Sequence, residues 1–478
     1  MIQPSDIARQ LPFAPTPHQA QLIQALHRFL TMPADPFSTG RVFVLNGYAG
    51  TGKTSVVGAL VKALTEIRAQ VVLMAPTGRA AKVFGNMAGR RAYTIHRRIY
   101  RHDSGGTTSG YQGFTLAENR LTDTLFIVDE ASMIGEGRPD GGDDLLHDLV
   151  EYVYSSPGCR MILLGDTAQL PPVGTDESPA MNPDRLRMFG LKVTRATITQ
   201  TVRQAASSGI LYNATLLRRA ISAAENSGDP EPRLPELRIG RFRDIRVAEG
   251  PDAIDDLADD YGTDTPAETI VITRSNDRAL RYNVAIRSMI MDAQEELVRD
   301  ERLLIVKNNY KWASAAPGLD FLANGDMAVV ESIIATEERY GFRFADVRMT
   351  LPDRELTFEC KILLDTLLSP HPSLDGSDME RLRRACLDDE ERYSGMSMTA
   401  RLRELRHDPY FNALLVKYAY CITCHKAQGG QWKNVYVDAG YIPEDASRTE
   451  LLRWLYTAFT RATSRLTLLN PPLPVADQ

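Results

Sequence analysis

The chain has 478 residues, 43% hydrophobic and 24% charged, enough for several domains of ordinary size with sizeable cores. Its formal net charge of −6 leaves no global positive field, so a nucleic-acid partner has to be held in a local groove. No apolar run approaches a membrane span, and the N-terminus carries neither a basic n-region nor an apolar h-region, which makes a cytoplasmic location without membrane contact the expectation.

In chain order, residues 1–40 read as a lead-in with one helix over 17–30, where Thr16-Pro17-His18-Gln19 spells a capping box with proline at the first helical position. Next comes the apolar run 42–46, followed by Gly47-Tyr48-Ala49-Gly50-Thr51-Gly52-Lys53-Thr54. This is a strand–GxxxxGK[ST]–helix pattern, the signature of nucleoside triphosphate binding. Its glycines let backbone N–H groups turn toward phosphate oxygens, Lys53 can reach the β- and γ-phosphates, and the Thr54 hydroxyl can ligate Mg²⁺. The periodic Val56, Val57, Leu60, Val61, Leu64 and Ile67 continue it as a helix whose positive end faces the anion.

Further apolar runs at 71–75, 125–128 and 161–164 alternate with helical segments up to residue 190, as in a parallel sheet covered on both faces. The pattern lapses over 101–119, which contains Tyr111 and Phe114 and reads as a small inserted hairpin. The run 125–128 ends in Asp129-Glu130, where a carboxylate can hold Mg²⁺ (Asp129) and another can orient or deprotonate water (Glu130). After 161–164, Gln169 sits in a strand-end loop, suited to sensing the γ-phosphate.

A second alternating set begins at 191, with a helix over 209–223, a strand over 269–273 and a helix over 276–291. It resumes with strands at 418–423, 434–438 and 465–469 and a helix over 448–463. Between them, over 302–414, alternating segments at 326–334, 343–350 and 355–362 indicate a small antiparallel β module, and a charged helical stretch follows over 377–407. The expected division is 1–190, then 191–301 with 415–478, the latter interrupted by 302–414. Cysteines at 159, 360, 386, 421 and 424 are read as reduced structural thiols. Cys421-Ile422-Thr423-Cys424-His425 has the spelling of a haem attachment site, but its context is a buried strand end, and zinc would need a second pair.

Several segments jointly resemble superfamily 1B DNA helicases of the RecD-like and Dda-like kind. They are the phosphate loop, Ala75-Pro76-Thr77-Gly78-Arg79-Ala80-Ala81-Lys82, the strand ending in Asp129-Glu130, Gly165-Asp166-Thr167-Ala168-Gln169-Leu170-Pro171-Pro172-Val173, and Thr199-Gln200-Thr201-Val202-Arg203-Gln204. Two more follow in family order, Ile422-Thr423-Cys424-His425-Lys426-Ala427-Gln428-Gly429-Gly430-Gln431-Trp432 and Tyr456-Thr457-Ala458-Phe459-Thr460-Arg461-Ala462. The resemblance implies two RecA-like parallel-sheet α/β motor domains, the second interrupted by a small β-barrel, and an ATP-driven helicase or translocase on single-stranded DNA with 5′→3′ polarity.

It further implies that Arg203 and Arg461 reach across a cleft to the transferring phosphoryl group, and that Gln428 and Gly429 lie at the nucleotide. Gln19 is placed where relatives read adenine, in competition with its role in the capping box. Thr77, Arg79, His96, Thr423 and His425 fall where relatives touch the strand, with Phe84, Tyr93 or Tyr100 as candidate stacking groups. The implied partners are single-stranded DNA, single-strand/duplex junctions and repair or recombination proteins, for a monomeric motor. An RNA or RNA–DNA helicase and a non-translocating ATP-gated binder are the alternatives. A subunit of a larger nuclease–helicase assembly is a third, with any nuclease in the partner.

Overall fold

The near-continuous apolar runs of the first 200 residues form one parallel sheet in a computed structural model. It describes residues 2–33, 39–102, 114–136, 144–200, 207–228, 232–262, 268–309, 311–312, 322–352, 355–440, 442 and 446–476. The strands are β1 (Gly40–Gly47), β2 (Val71–Ala75), β3 (Ala92–Thr94), β6 (Leu125–Val128), β7 (Arg160–Gly165) and β8 (Leu191–Ile198), in the spatial order β3-β2-β6-β7-β1-β8. Successive β1 side chains point to opposite faces, so Phe43 and Leu45 enter one core and Val42 and Val44 the other. The first core is closed by α1 (Pro4–Arg9), α2 (Pro17–Thr31) and α3 (Lys53–Glu66), with Phe84 of α4 (Gly78–Ala88). The second is closed by Ile95 and Ile99 of α5 (Ile95–Ile99), by α6 (Leu145–Tyr154) and by Leu186 of α7 (Pro183–Met188). Burial on both faces explains the lack of apolar–polar alternation in the central strands β1, β2, β6 and β7.

The boundary expected at 190 is displaced. Leu191–Ile198 pairs along its whole length with β1, so the first sheet extends eight residues past it. The anticipated hairpin has its base, β4 (Tyr100–His102), antiparallel to β5 (Phe114–Leu116). Its tip, with Tyr111, and the segment holding Arg203 lie outside the described residues.

The second sheet follows α8 (Gly209–Ser227), a helix that continues past the expected 223 until Gly228 closes it at φ 64°. It contains β10 (Ile245–Val247), β11 (Thr269–Thr273), β17 (Cys421–Thr423), β18 (Trp432–Asp438) and β19 (Ala462–Leu469), all parallel, in the order β10-β19-β18-β11-β17. A short β9 (Leu237–Arg238) pairs with β20 (Val475–Ala476) at its flank. The helices are α9 (Gly250–Tyr261), α10 (Asn276–Ala285), α14 (Cys424–Ala427) and α15 (Arg448–Phe459). Two helices are shorter than expected: α10 passes into a π-helical turn at Ile286–Ile290, and α15 stops before β19 begins at Ala462.

The interruption is a closed barrel of β12 (Arg302–Ile305), β13 (Met327–Arg339), β14 (Phe342–Leu351), β15 (Leu356–Leu363) and β16 (Leu414–Tyr418). The strand expected over 418–423 is in fact two. Tyr418 ends a barrel strand, and Cys421 begins a strand of the second sheet. The charged stretch resolves into α11 (Gly376–Leu387), α12 (Glu390–Tyr393) and α13 (Met398–Leu405), whose Leu382, Cys386, Leu387 and Leu405 are buried.

Candidate functional site

Strand order creates the site. Because β6, β7 and β1 are neighbours, their carboxyl ends bring the loop after Gly47, the carboxylates after Val128 and Asp166 after Gly165 to one edge. Gly50 and Gly52 both hold φ 74°, a region costly for other residues, and the turn they make delivers the chain to the start of α3. A Cβ on Gly47 would meet the Lys53 side chain at 2.9 Å, so glycine there lets Lys53 fold back and donate from Nζ to the Gly47 carbonyl (3.1 Å). Gln19 is fully buried. Its Oε1 accepts from the Thr16 N–H (3.0 Å) while its Nε2 donates to the Thr51 carbonyl (3.1 Å). The capping box is therefore present, and the same amide braces the phosphate loop from α2.

Asp129 is 7% exposed, and its Oδ1 accepts from the Glu130 N–H at 2.9 Å. Burial, then the neighbouring Glu130 charge, push its pKa up to about 6, against the pull of Lys53 and a hydrogen bond from Thr54. Glu130 sits at φ 52°, a strained conformation for a non-glycine residue. Its Oε2 and the Oε1 of Gln169 are buried acceptors without a donor among the described groups. Unsatisfied buried oxygens are rare, and both residues line the cavity described below. Burial also raises the pKa of Asp166, whose Oδ2 accepts from the Tyr456 hydroxyl at 2.6 Å.

The second wall comes from the other sheet. Arg461, 4% exposed, lies in the turn between α15 and β19, held by the Thr457 carbonyl (3.0 Å), the Gly430 carbonyl (3.3 Å) and Thr460 Oγ1 (3.0 Å). It lines the same cavity of about 1110 Å³ as Lys53, Thr54, Glu130 and Gln169. Ser208, Leu211 and Arg241 of the second domain complete that wall.

The joint between the walls involves residues to which the sequence analysis gave no role. The Tyr456 hydroxyl accepts from the Ala49 N–H (2.9 Å) while donating to Asp166, and Thr457 Oγ1 accepts from the Leu170 N–H (2.8 Å). Both stand in a quoted motif, but on a helix buried on nearly every side, where a polar tip gives no periodic signal. Gln428 and Gly429, expected at the nucleotide, do not line the cavity. Gln428 Nε2 donates to the Leu170 carbonyl (2.7 Å), and Gly429, at φ 73°, lies against Thr77 and Ala80 of the first domain.

The candidate strand contacts divide. Thr77 follows β2 and caps α4, accepting from the Ala80 N–H (3.2 Å), and Thr423 ends β17, so both stand at carboxyl ends of their sheets. His425 follows on α14, where burial lowers its pKa and so favours the neutral imidazole. His96 packs its ring 5.6 Å from that of Tyr100. Arg79 turns instead to the second domain, with Nη2 donating to the Gln431 carbonyl at 2.6 Å. Phe84 is fully buried in the core, and the Tyr100 hydroxyl donates to Asp148, whereas the Tyr93 ring is flanked by the guanidinium groups of Arg91, Arg97 and Arg98.

Comparison with known proteins places this geometry. Residues 30–228 match the AAA domain family, and residues 418–469 match the UvrD-like helicase C-terminal domain. A stretch of 185 residues is 36% identical to the ATP-dependent RecD2 DNA helicase of Deinococcus radiodurans, covering 38% of this chain and 22% of that protein. Another of 144 residues is 30% identical to the ATP-dependent DNA helicase dda of Enterobacteria phage T4, covering 28% of this chain and 29% of that one. The chain thus spans less than a third of either relative's length. Among solved structures, a Pif1 helicase from Bacteroides aligns over 96% of this chain and 93% of its own at 16% identity and a TM-score of 0.46. The resemblance to superfamily 1B helicases carried by the motifs accordingly stands on matches to RecD2 and dda.

Proposed function

We propose that the chain is an ATP-hydrolysing helicase or translocase that moves 5′→3′ along single-stranded DNA and opens duplex at a junction. The observation that carries this is that Lys53 and Arg461 line one cavity between two parallel-sheet domains, with Glu130 and Gln169 on the same lining. In this proposal Lys53 and the amides of the phosphate loop bind the β- and γ-phosphates. Thr54 and Asp129, a hydroxyl hydrogen-bonded to a buried carboxylate, are oxygen donors that fit Mg²⁺. When bound, the metal neutralises charge on the phosphate oxygens.

Glu130 orients the attacking water and takes its proton, and Gln169 registers the γ-phosphate. Arg461, joined by Arg203, stabilises charge on the transferring group, a role worth about 10³–10⁵ in rate among related NTPases. Occupancy reaches the second domain through the 166–170 loop, because Tyr456, Thr457 and Gln428 all bond to that loop across the cleft. Thr77, Thr423, His96 and His425 are the proposed strand contacts, gripping phosphates without reading bases. Movement requires that the open and closed cleft hold the strand with different affinity.

Glu130→Gln tests the chemistry. Hydrolysis stimulated by single-stranded DNA is expected to fall by about 10²–10⁴ while ATP and strand still bind. Retention of wild-type turnover in this variant removes Glu130 as the base and the proposed mechanism with it.

A further inference from the structure

Helix α4 stands where three units meet. Gly429 packs on Thr77 and Ala80, Lys82 Nζ lies 3.5 Å from the Pro352 carbonyl of the barrel, and Arg79 Nη1 lies 3.9 Å from Met327 Sδ of β13. Arg79 makes the shortest of these cross-unit contacts. Its Nη2 donates to the Gln431 carbonyl, and its guanidinium stacks over the Trp432 ring at 4.0 Å from the centroid. A planar cation on an indole face, with a charge-assisted hydrogen bond alongside, is a fixed arrangement that lysine does not reproduce.

What lies behind that ring matters more. Trp432, 4% exposed, donates its backbone N–H to the carbonyl of Arg461 at 3.0 Å, and Gln431 itself lines the nucleotide cavity. From the N-terminal turn of α4, where Thr77 is a proposed strand contact, two residues therefore lead to the arginine on the far wall of the cleft. Helix α4 and Arg461 are thus linked through Gln431 and Trp432 by a route that bypasses the phosphate loop.

We infer that Arg79 is a positioning residue that fixes Gln431–Trp432, and through them Arg461, so that engagement of the strand at α4 is felt at the phosphoryl group. It is not a grip on a phosphate. The inference rests on the helicase reading above and names a component of its coupling.

The test uses the full chain with Arg79→Ala, Arg79→Lys and Trp432→Leu, a fluorescently labelled oligothymidylate as the strand, and three readouts. Strand-stimulated kcat is expected to fall about 10-fold in both Arg79 variants, lysine failing to rescue because it lacks the stacking plane. The dependence of strand affinity on salt, without nucleotide, should keep the wild-type slope, whereas loss of a phosphate contact lowers that slope by about 0.7 for a single strand. Arg79→Ala made in the Trp432→Leu background should cost little more than Trp432→Leu alone, since both remove one link. Rescue by Arg79→Lys together with a reduced salt slope for Arg79→Ala makes the residue a phosphate grip and overturns the inference alone. A wild-type chain whose ATP hydrolysis ignores the oligothymidylate overturns the helicase reading as well.

Discussion

At the residue scale, the informative groups are those held in states that folding alone does not favour. Asp129 is an acid whose pKa is raised by burial to about 6, so the folded chain binds its proton more tightly than the unfolded chain does. Between pH 3.8, its ordinary value, and about 6, the native state carries more protons, and stability therefore declines as pH rises through that window. Above it the buried charge is a standing penalty that a bound cation relieves. Asp129→Asn should accordingly stabilise the nucleotide-free protein at pH 8 by about 2–3 kcal/mol at most, a gain that disappears near pH 4. Thermal unfolding at the two pH values checks this, and an unchanged or lower Tm at pH 8 contradicts it. The carboxylate pair was legible in the sequence because it ends an apolar strand beside a phosphate loop. The strain at Glu130 and its orphaned oxygen were not, since neither a backbone angle nor a missing donor is written in local spelling.

At the level of elements, α15 does two jobs. Leu451, Leu455 and Phe459 build the core of the second domain, while Tyr456 and Thr457 cross to the first domain. Removing the Tyr456 hydroxyl leaves the Ala49 N–H and an Asp166 oxygen buried without that partner, a loss of about 1–3 kcal/mol. Tyr456→Phe should therefore lower Tm by several degrees and weaken the communication between ATP and strand binding. Equal Tm, with ATP affinity still responding normally to a bound strand, would show the hydroxyl to be dispensable. Periodicity predicted the helix, because its apolar spacing follows from 3.6 residues per turn. It placed the helix end four residues late, since the turn at Thr460-Arg461 is imposed by β19 entering the sheet. The same cause split the strand expected over 418–423. Tyr418 and Cys421 stand in one continuous buried run, and only the closure of the barrel assigns one to β16 and the other to β17.

Across the whole molecule, the first sheet presents its carboxyl ends and the second sheet its amino ends, the residues before β10, β18 and β19, to one cleft, and a barrel stands beside α4. If closing and opening of that cleft drives directional movement, partial duplexes bearing only a 5′ single-stranded tail should be unwound, and those bearing only a 3′ tail should not. Activity confined to the 3′-tailed substrate removes the polarity assigned here, and hydrolysis without unwinding of either leaves a translocase.

Local sequence by itself determined most strands of the two sheets, the phosphate loop and the carboxylates. Each is written in a contiguous run whose spacing is set by strand and helix geometry and needs no distant partner. Only the tertiary structure decided which groups meet across the cleft. Tyr456 reaches Asp166 and Ala49 over separations of 290 and 407 residues, and Arg79 reaches Gln431 over 352. Such pairs depend on how whole domains dock, and a polar tip on a buried helix face or a cation at a helix start carries no local mark of the partner that docking brings to it.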